Sequence, residues 1–317
     1  MNIKMKESKN LKVLKNNILV GLYLEEPFHD GQLAECIYSL ANQKQPVDVV
    51  ILDGGLSDKS IEFLNKTAEN PSIKILKTDK DGNPTEEIIK SDNSLEFDLV
   101  KIDADNFSKV YNDLFNISLD RGYDYFSIIE VGDAVGSNWY KIASVYMEEN
   151  EDVGFFFPMV RSFKNGVLTG LMNEASWAEG LSEEAGKFDM NLLLRFNCAN
   201  PLGAIYRVSD VMEYSEQKDG RYCPMKESIK ISHYYEFFLR MAYNDVKMMT
   251  VPRVGYDFRI NDNNEFKHTS SKIPNNLTTL PKEKGGMDSK ETSFWVELAK
   301  KEYFFDEDRC KTFLETI

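Results

Sequence analysis

Two carboxylates follow an apolar run in the segment Glu130-Val131-Gly132-Asp133. Mg²⁺ and Mn²⁺ prefer oxygen ligands and keep open coordination positions, so a carboxylate pair at this spacing can hold one cation that also bridges a diphosphate. The same residues are compatible with a solvated acidic turn. The segment therefore indicates a candidate metal site at Glu130 and Asp133, with the acidic turn as the alternative.

A second acidic strand end is Asp53, which closes an apolar run and precedes Gly54 and Gly55. A carboxylate beside glycines can accept hydrogen bonds from a nucleobase or a ribose, because the backbone there can approach a ligand closely. The alternative role of Asp53 is to cap the turn that follows it. Open α/β sheets bind ligands beyond the carboxyl ends of their strands, so the two acidic ends predict one shared site.

Alternating strand and helix patterns position these acidic residues. Short apolar runs predict strands at 18–24, 47–52, 73–76, 125–129, 153–160 and 246–251. Helical spacing predicts helices between most of them, at 33–40, 61–68, 106–121, 137–149 and 232–243. This alternation predicts an α/β fold with a central, mostly parallel sheet flanked by helices.

The remaining stretches divide the chain into three parts. We predict a basic tail at 1–17, one domain at 18–260 and a C-terminal extension at 261–317, with a polar loop and a short helix at 294–301. Residues 77–97 are polar and are interpreted as a loop or a variable excursion. Residues 161–197 follow no clear pattern.

Composition and charge limit the possible functions. The 317 residues are 42% hydrophobic and 28% charged, which is typical of a folded globular protein. The net charge of −14 disfavours generic nucleic-acid binding, because an acidic surface repels phosphate. An anionic nucleotide would need a metal ion, backbone N–H groups or a few well-placed cations.

Targeting and redox signals are sparse. The four cysteines, Cys36, Cys198, Cys223 and Cys310, have no paired C-x-x-C spacing and suggest neither a zinc site nor a disulfide framework. The N-terminus lacks the apolar stretch of a signal peptide, and no segment reaches the length of a membrane span. We therefore expect a cytoplasmic protein without a membrane span.

The candidate residues lie in five segments that follow one another along the chain. They are CIYSLANQ at 36–43, VVILDGGLSDKS at 49–60, YDYFSIIEVGDAVGSNWY at 123–140, MKESIKISHYYEFFLRM at 225–241 and VPRVGYDFRI at 251–260. Together they resemble the family 2 glycosyltransferases. In that family the corresponding patterns are a C-x-x-S-L-x-x-Q helix, D-D-G-S-T-D-x-S, an acidic D-x-D-D cluster, E-D-Y-E/D-x-x-x-R and Tyr-x-x-Arg.

The resemblance implies a GT-A fold with a Rossmann-like nucleotide-binding half. It implies a nucleoside diphosphate sugar donor, an unknown acceptor and a bound Mn²⁺ or Mg²⁺. The residues that it places against the nucleotide are Leu22, Tyr23, Glu25 and Asp53, and those that it places at the metal are Glu130 and Asp133.

The chain departs from the family pattern at three points. Gly54 replaces the second family Asp, and Gly132 removes the middle acid of the metal motif. His233 and Tyr234 stand where the family has Glu and its catalytic base, Asp. A tyrosine has a pKa near 10 and suits base catalysis poorly at neutral pH, whereas a histidine suits it well.

The candidate catalytic residues are therefore His233 and Glu236. Glu236 shares a helical face with His233 and Arg240, so it either orients the imidazole or pairs with the arginine. The altered motifs leave two functions open. One is a metal-assisted, inverting sugar transferase, and the other is a GT-A-like binding or structural protein without activity. A nucleotidyltransferase would need a Gly-rich basic loop after the first strand, which GLYLEEPFHDG does not supply.

Overall fold

The computed structural model describes residues 17–260, except 81–82, 104–105, 165, 180–181, 183, 189, 196–198 and 228–232. The predicted tail at 1–17, apart from its last residue, and the predicted extension at 261–317 lie outside the described residues. Whether 18–260 is a separate domain stays a prediction.

The strands of the described chain include most of the predicted ones. They are β1 (Ile18–Leu24), β2 (Asp48–Asp53), β3 (Ser72–Thr78), β4 (Pro84–Lys90), β5 (Asp98–Lys101), β6 (Tyr125–Glu130), β7 (Ala134–Val135), β8 (Val153–Lys164), β9 (Val167–Met172), β10 (Lys187–Phe188), β11 (Ile205–Arg207), β12 (Glu216–Lys218), β13 (Arg221–Cys223) and β14 (Lys247–Ile260).

The described chain has seven α-helices, five within a few residues of predicted positions and two, at 190–195 and 208–213, in stretches without a predicted helix. They are α1 (Asp30–Ala41), α2 (Asp58–Glu69), α3 (Phe107–Asp120), α4 (Trp139–Glu149), α5 (Met190–Arg195), α6 (Val208–Glu213) and α7 (His233–Tyr243). Side-chain caps fix three of their starts, because His29 accepts from the Gly31 amide, Ser57 from the Ser60 amide and Asn106 from the Lys109 amide. None of the helices in the described chain is long and apolar enough to cross a bilayer.

The central sheet has ten strands in the order β10-β14-β8-β11-β6-β1-β2-β5, with β7 paired to β14 and β9 paired to β8. Strands β5, β2, β1 and β6 are parallel neighbours, and β8 is parallel to β14. Strand β11 runs antiparallel between β6 and β8. The prediction of a mostly parallel central sheet flanked by helices is confirmed.

Each face of the sheet is buried under its own helices. Helices α3, α5, α6 and α7 cover one face, and α1, α2 and α4 cover the other. On the α3 side the core is aromatic, with Tyr111 packed edge to face against Phe126, Tyr206 and Phe237. Because both faces are covered there, β1, β2 and β6 read as near-continuous apolar runs in the sequence.

Two regions differ from the sequence interpretation. Strand β3 does not continue the central alternation but forms a separate two-stranded hairpin with β4, so 77–97 is not simply a loop. Strand β4 is largely exposed, and Lys74 pairs with Glu86 across the hairpin at 3.4 Å. The strand that joins β1, β2 and β6 as a fourth parallel neighbour is instead β5. The sequence pattern left β5 unassigned because it is short and largely exposed.

A close contact fixes β14 against α4. The Trp139 ring is buried, and its indole N–H donates to the Gly203 carbonyl at 2.8 Å. A Cβ added at Gly255 would lie 2.6 Å from two ring carbons of Trp139. Glycine is therefore required where β14 passes the indole, one residue before Tyr256.

We predict that Gly255→Ala lowers the free energy of unfolding by about 1–3 kcal/mol, because the added methyl overpacks the Trp139 site. Gly136→Ala is the matched control, since a Cβ there meets its nearest atom at an ordinary 3.4 Å. Urea denaturation of both variants measures the difference. Equal stability of the two variants would show that β14 shifts freely beside the indole.

Candidate functional site

The predicted nucleotide and metal residues meet at the carboxyl edge of the sheet. Strand β1 lies between β2 and β6, with Leu24 in register with Asp53 and Tyr23 in register with Glu130. Two strand spacings separate Asp53 from Glu130, which is about 10 Å. This separation is compatible with one ligand site.

Asp53 is fixed by the turn that follows β2. Its carboxyl oxygen Oδ1 accepts hydrogen bonds from the backbone amides of Gly55 at 2.8 Å and Leu56 at 2.6 Å. The side chain is 6% exposed. Asp53 thus has the turn-capping role considered in the sequence, and the same bonds fix its carboxylate at the strand end.

The end of β1 contributes residues of two kinds. Leu22 is fully buried in the core on the α1 side, so its side chain packs there. Tyr23 points to the other face, and its ring lies so close to Gly54 that a Cβ there would be 2.8 Å from the phenol oxygen. Burial, together with the charge of Glu25 and a hydrogen bond to it, raises the pKa of Tyr23 to about 12. The phenol therefore stays protonated at neutral pH and donates its hydrogen bond to Glu25.

A contact that sequence reasoning missed joins the loops after β1 and β2. The Glu26 carboxylate accepts from the Ser57 amide at 3.0 Å and from the Ser57 hydroxyl at 2.7 Å. Hydrogen bonds from Ser60 and Ser57 lower the pKa of Glu26 to about 2. The capping serine of α2 was the available signal, but its partner lies 31 residues away in sequence.

Asp133 is buried and bonded to β14. Its side chain is 2% exposed, Oδ2 accepts from the Tyr256 hydroxyl at 2.9 Å, and Oδ1 accepts from the Arg259 amide at 2.9 Å. Glu130 is 5% exposed, and its backbone N–H donates to the same Tyr256 hydroxyl at 3.4 Å. Glu130 and Asp133 are therefore brought together around one tyrosine.

These residues fit a divalent cation poorly. Both carboxyl oxygens of Asp133 already accept hydrogen bonds from the protein. Across the part of the chain that the structure covers, no three His, Cys, Asp or Glu side chains are grouped to hold a metal ion. Hard cations take six or more oxygen ligands, so most would have to come from outside the protein.

The buried charge of Asp133 changes the pKa values of neighbouring groups. Burial, followed by the charges of Asp133 and Glu130, raises the pKa of Tyr256 well above its ordinary value. Burial and the Asp133 charge also raise the pKa of the Cys36 thiol. Both groups stay protonated near neutral pH, so Tyr256 remains a hydrogen-bond donor to Asp133.

The start of α7 holds the predicted base positions. The backbone of α7 begins at His233, but the His233 side chain lies outside the described part of the structure. Tyr234 is 2% exposed, and burial raises its pKa well above 10, with smaller contributions from Tyr206 and Glu130. A buried phenol of this kind is a poor proton acceptor.

Glu236 is held by an internal ion pair. The Arg240 Nε donates to Glu236 Oε1 at 3.1 Å, and the two side chains are 8% and 3% exposed, respectively. Arg240 also donates to the backbone carbonyls of Tyr214 and Pro224. Of the two arrangements considered in the sequence, the structure contains the pairing with Arg240.

Two lysines at the carboxyl edge were not singled out from the sequence. Lys101 ends β5 in register with Asp53, and Lys109 lies in the first turn of α3, 4.0 Å from Asp103. In an acidic chain, cations beside a candidate nucleotide site can offset phosphate charge. The acidic composition of the chain indicated that a nucleotide site would need nearby cations. The sequence alone did not show which lysines lie at this edge.

A cavity of about 640 Å³ lies at the opposite edge of the sheet. Its lining includes Tyr125, which begins β6, and Arg207, which ends antiparallel β11. These residues mark the amino edge, away from Asp53 and Asp133. The cavity is therefore separate from the candidate site.

Comparisons with known proteins bear on the fold. No family model matches the sequence, and no curated protein matches it. Three crystal structures of residues 1–349 of S. aureus TarS are similar in structure. The complex with UDP-GlcNAc has a TM-score of 0.57 at 13% identity and covers 94% of this chain and 70% of that chain.

The other two TarS structures agree. The structure without a named ligand has a TM-score of 0.55 at 12% identity, covering 95% of this chain and 70% of that chain. The UDP complex has a TM-score of 0.53 at 12% identity, covering 94% and 69%, respectively. At this identity the similarity concerns the fold. The chain has an α/β, GT-A-like glycosyltransferase fold.

Proposed function

We propose that this protein binds a nucleoside diphosphate sugar at the carboxyl edge of β1, β2 and β6 and transfers the sugar to an acceptor that is not yet known. The observation that carries the proposal is the convergence of Asp53, Tyr23 and Glu130 at one edge of a GT-A-like sheet. TarS, which has a similar fold, was crystallised with UDP-GlcNAc, so this donor is the first to test.

The proposed binding mode uses groups that the structure positions. The Asp53 carboxylate, fixed by two backbone amides, accepts a hydrogen bond from the base or ribose. Tyr23 places its ring beside Gly54 at the same strand end, and Lys101 and Lys109 offset part of the diphosphate charge. A divalent cation stays a prediction from the family resemblance. No step is assigned to it, because the residues present fit it poorly.

The second candidate is a GT-A-like protein that binds the donor without transferring it. It is favoured by Tyr234, a buried phenol of raised pKa at the position of the family base. The pairing of Glu236 with Arg240 also supports it, because a carboxylate held in a buried ion pair is a less available base. Of the two catalytic residues predicted from the sequence, this leaves the His233 imidazole as the candidate base of suitable ordinary pKa.

We predict that calorimetric titration with a panel of nucleoside diphosphate sugars will find a donor that binds, with UDP-GlcNAc tested first. Asp53→Ala should weaken its binding by about 10- to 100-fold, because a hydrogen bond to a charged group is lost. The exposed Asp92→Ala is the control and should leave affinity unchanged. Circular dichroism checks that both variants fold. Equal affinity of Asp53→Ala and wild type would place the donor elsewhere.

We predict that His233→Ala reduces sugar transfer by about 10²- to 10⁴-fold, the usual effect of removing a general base, while donor affinity stays unchanged. The wild-type rate should fall as the pH drops through about 6.5, because an ordinary imidazole becomes protonated there. UDP release from UDP-GlcNAc, in a mixture of glycan acceptors, measures both. Wild-type activity in the variant would exclude His233 as the base. A wild type that binds donors but transfers no sugar would favour the second candidate.

We predict that Glu236→Ala lowers the free energy of unfolding by about 3–5 kcal/mol, because it leaves the Arg240 charge buried and unpaired. The exposed Glu216→Ala should change stability by less than about 0.5 kcal/mol. Urea denaturation compares the two. If Glu236→Ala is as stable as wild type but transfers no sugar, Glu236 acts on the reaction directly.

A further inference from the structure

The carboxylate of Asp133 lies at the junction of three elements. It follows β6, and its two oxygens accept from the Tyr256 hydroxyl and the Arg259 amide of β14, each at 2.9 Å. The Arg259 side chain forms an ion pair with Glu35 of α1. The two side chains of this pair are 35% and 30% exposed, so the pair is partly removed from water. Asp133 thus connects the carboxyl end of β6 to β14 and, through Arg259, to α1.

A metal ligand and a structural anchor make different demands on a carboxylate. A ligand must direct lone pairs to the cation and expose them to the donor diphosphate, whereas an anchor satisfies its oxygens with protein donors. Asp133 is 2% exposed, and each of its oxygens accepts a protein hydrogen bond. Gly132 supplies no third carboxylate beside it.

We propose that Asp133 is a positioning residue that holds β14 against the carboxyl end of β6. We further propose that the donor diphosphate binds at the carboxyl edge of β1, β2 and β6 without a divalent cation. The second half of this inference rests on the proposed donor binding, whereas the first half does not. In place of a cation, Lys101 and Lys109 supply positive charge at the same edge.

Three substitutions separate an anchor from a ligand. Asp133→Asn removes the charge that a cation needs but keeps an oxygen for the Arg259 amide and an amide group for the Tyr256 hydroxyl. Asp133→Ala removes both hydrogen bonds. Tyr256→Phe removes one of them and leaves the carboxylate in place. An anchor therefore tolerates Asn better than Ala, whereas a metal ligand fails with either.

The first measurement is the melting temperature of the free protein with and without Mn²⁺. We expect Asp133→Ala to lower it by about 4 °C or more, and Asp133→Asn and Tyr256→Phe to lower it less. The exposed Asp92→Ala should match the wild type. Mn²⁺ should raise the melting temperature of none of these proteins. A rise in the wild type that disappears in Asp133→Asn would overturn the inference.

The second measurement is calorimetric titration of UDP-GlcNAc in Mn²⁺ and in EDTA. We expect wild-type affinities within about twofold of each other, similar affinity in Asp133→Asn, and weaker binding in Asp133→Ala under both conditions. A wild type that binds at least tenfold more weakly in EDTA, with Asp133→Asn as weak as Asp133→Ala, would overturn the inference. If no donor binds under any condition, the proposed function fails. The melting temperatures then decide the role of Asp133.

Discussion

A carboxylate buried in a protein must replace its hydration with hydrogen bonds, and Asp133 does so with two donors from β14. The Tyr256 hydroxyl, which donates to Asp133, also accepts a hydrogen bond from the Glu130 backbone amide. The end of β6 and the C-terminal part of β14 therefore share one buried polar cluster. Raised pKa values keep Tyr256 and Cys36 protonated beside this charge. The relative position of β6 and β14 depends on this cluster because it joins strands that lie on either side of β11 and β8 in the sheet.

The packing around Trp139 also fixes the position of β14 next to Tyr256. Its indole is buried between α4 and β14, donates to the Gly203 carbonyl, and leaves room only for glycine at position 255. Tyr256 follows directly, so its direction toward Asp133 is set by the backbone that passes the indole. On the other side of β1, Asp53 is held by two amides of its own turn. The two halves of the candidate site are therefore held in place by different local contacts.

Sequence patterns predicted the parts of this fold that depend on local order. The apolar runs of β1, β2, β6 and β8 and the helices between them were recognisable, because strands covered on both faces lack polar residues. The pairing of β3 with β4 was not, because a short strand does not encode its partner. Asp53 and Asp133 were found from their strand ends. The bond from Tyr256 to Asp133 spans 123 residues and leaves no local pattern.

The proposed function requires a nucleoside diphosphate sugar to bind at the carboxyl edge of β1, β2 and β6. A crystal structure of the protein soaked with UDP-GlcNAc tests it most directly. We expect the nucleoside within hydrogen-bonding distance of Asp53, with Asp133 still bonded to Tyr256. Ligand found only in the cavity at the amino edge of β6, or no ligand at saturating concentration, would contradict it.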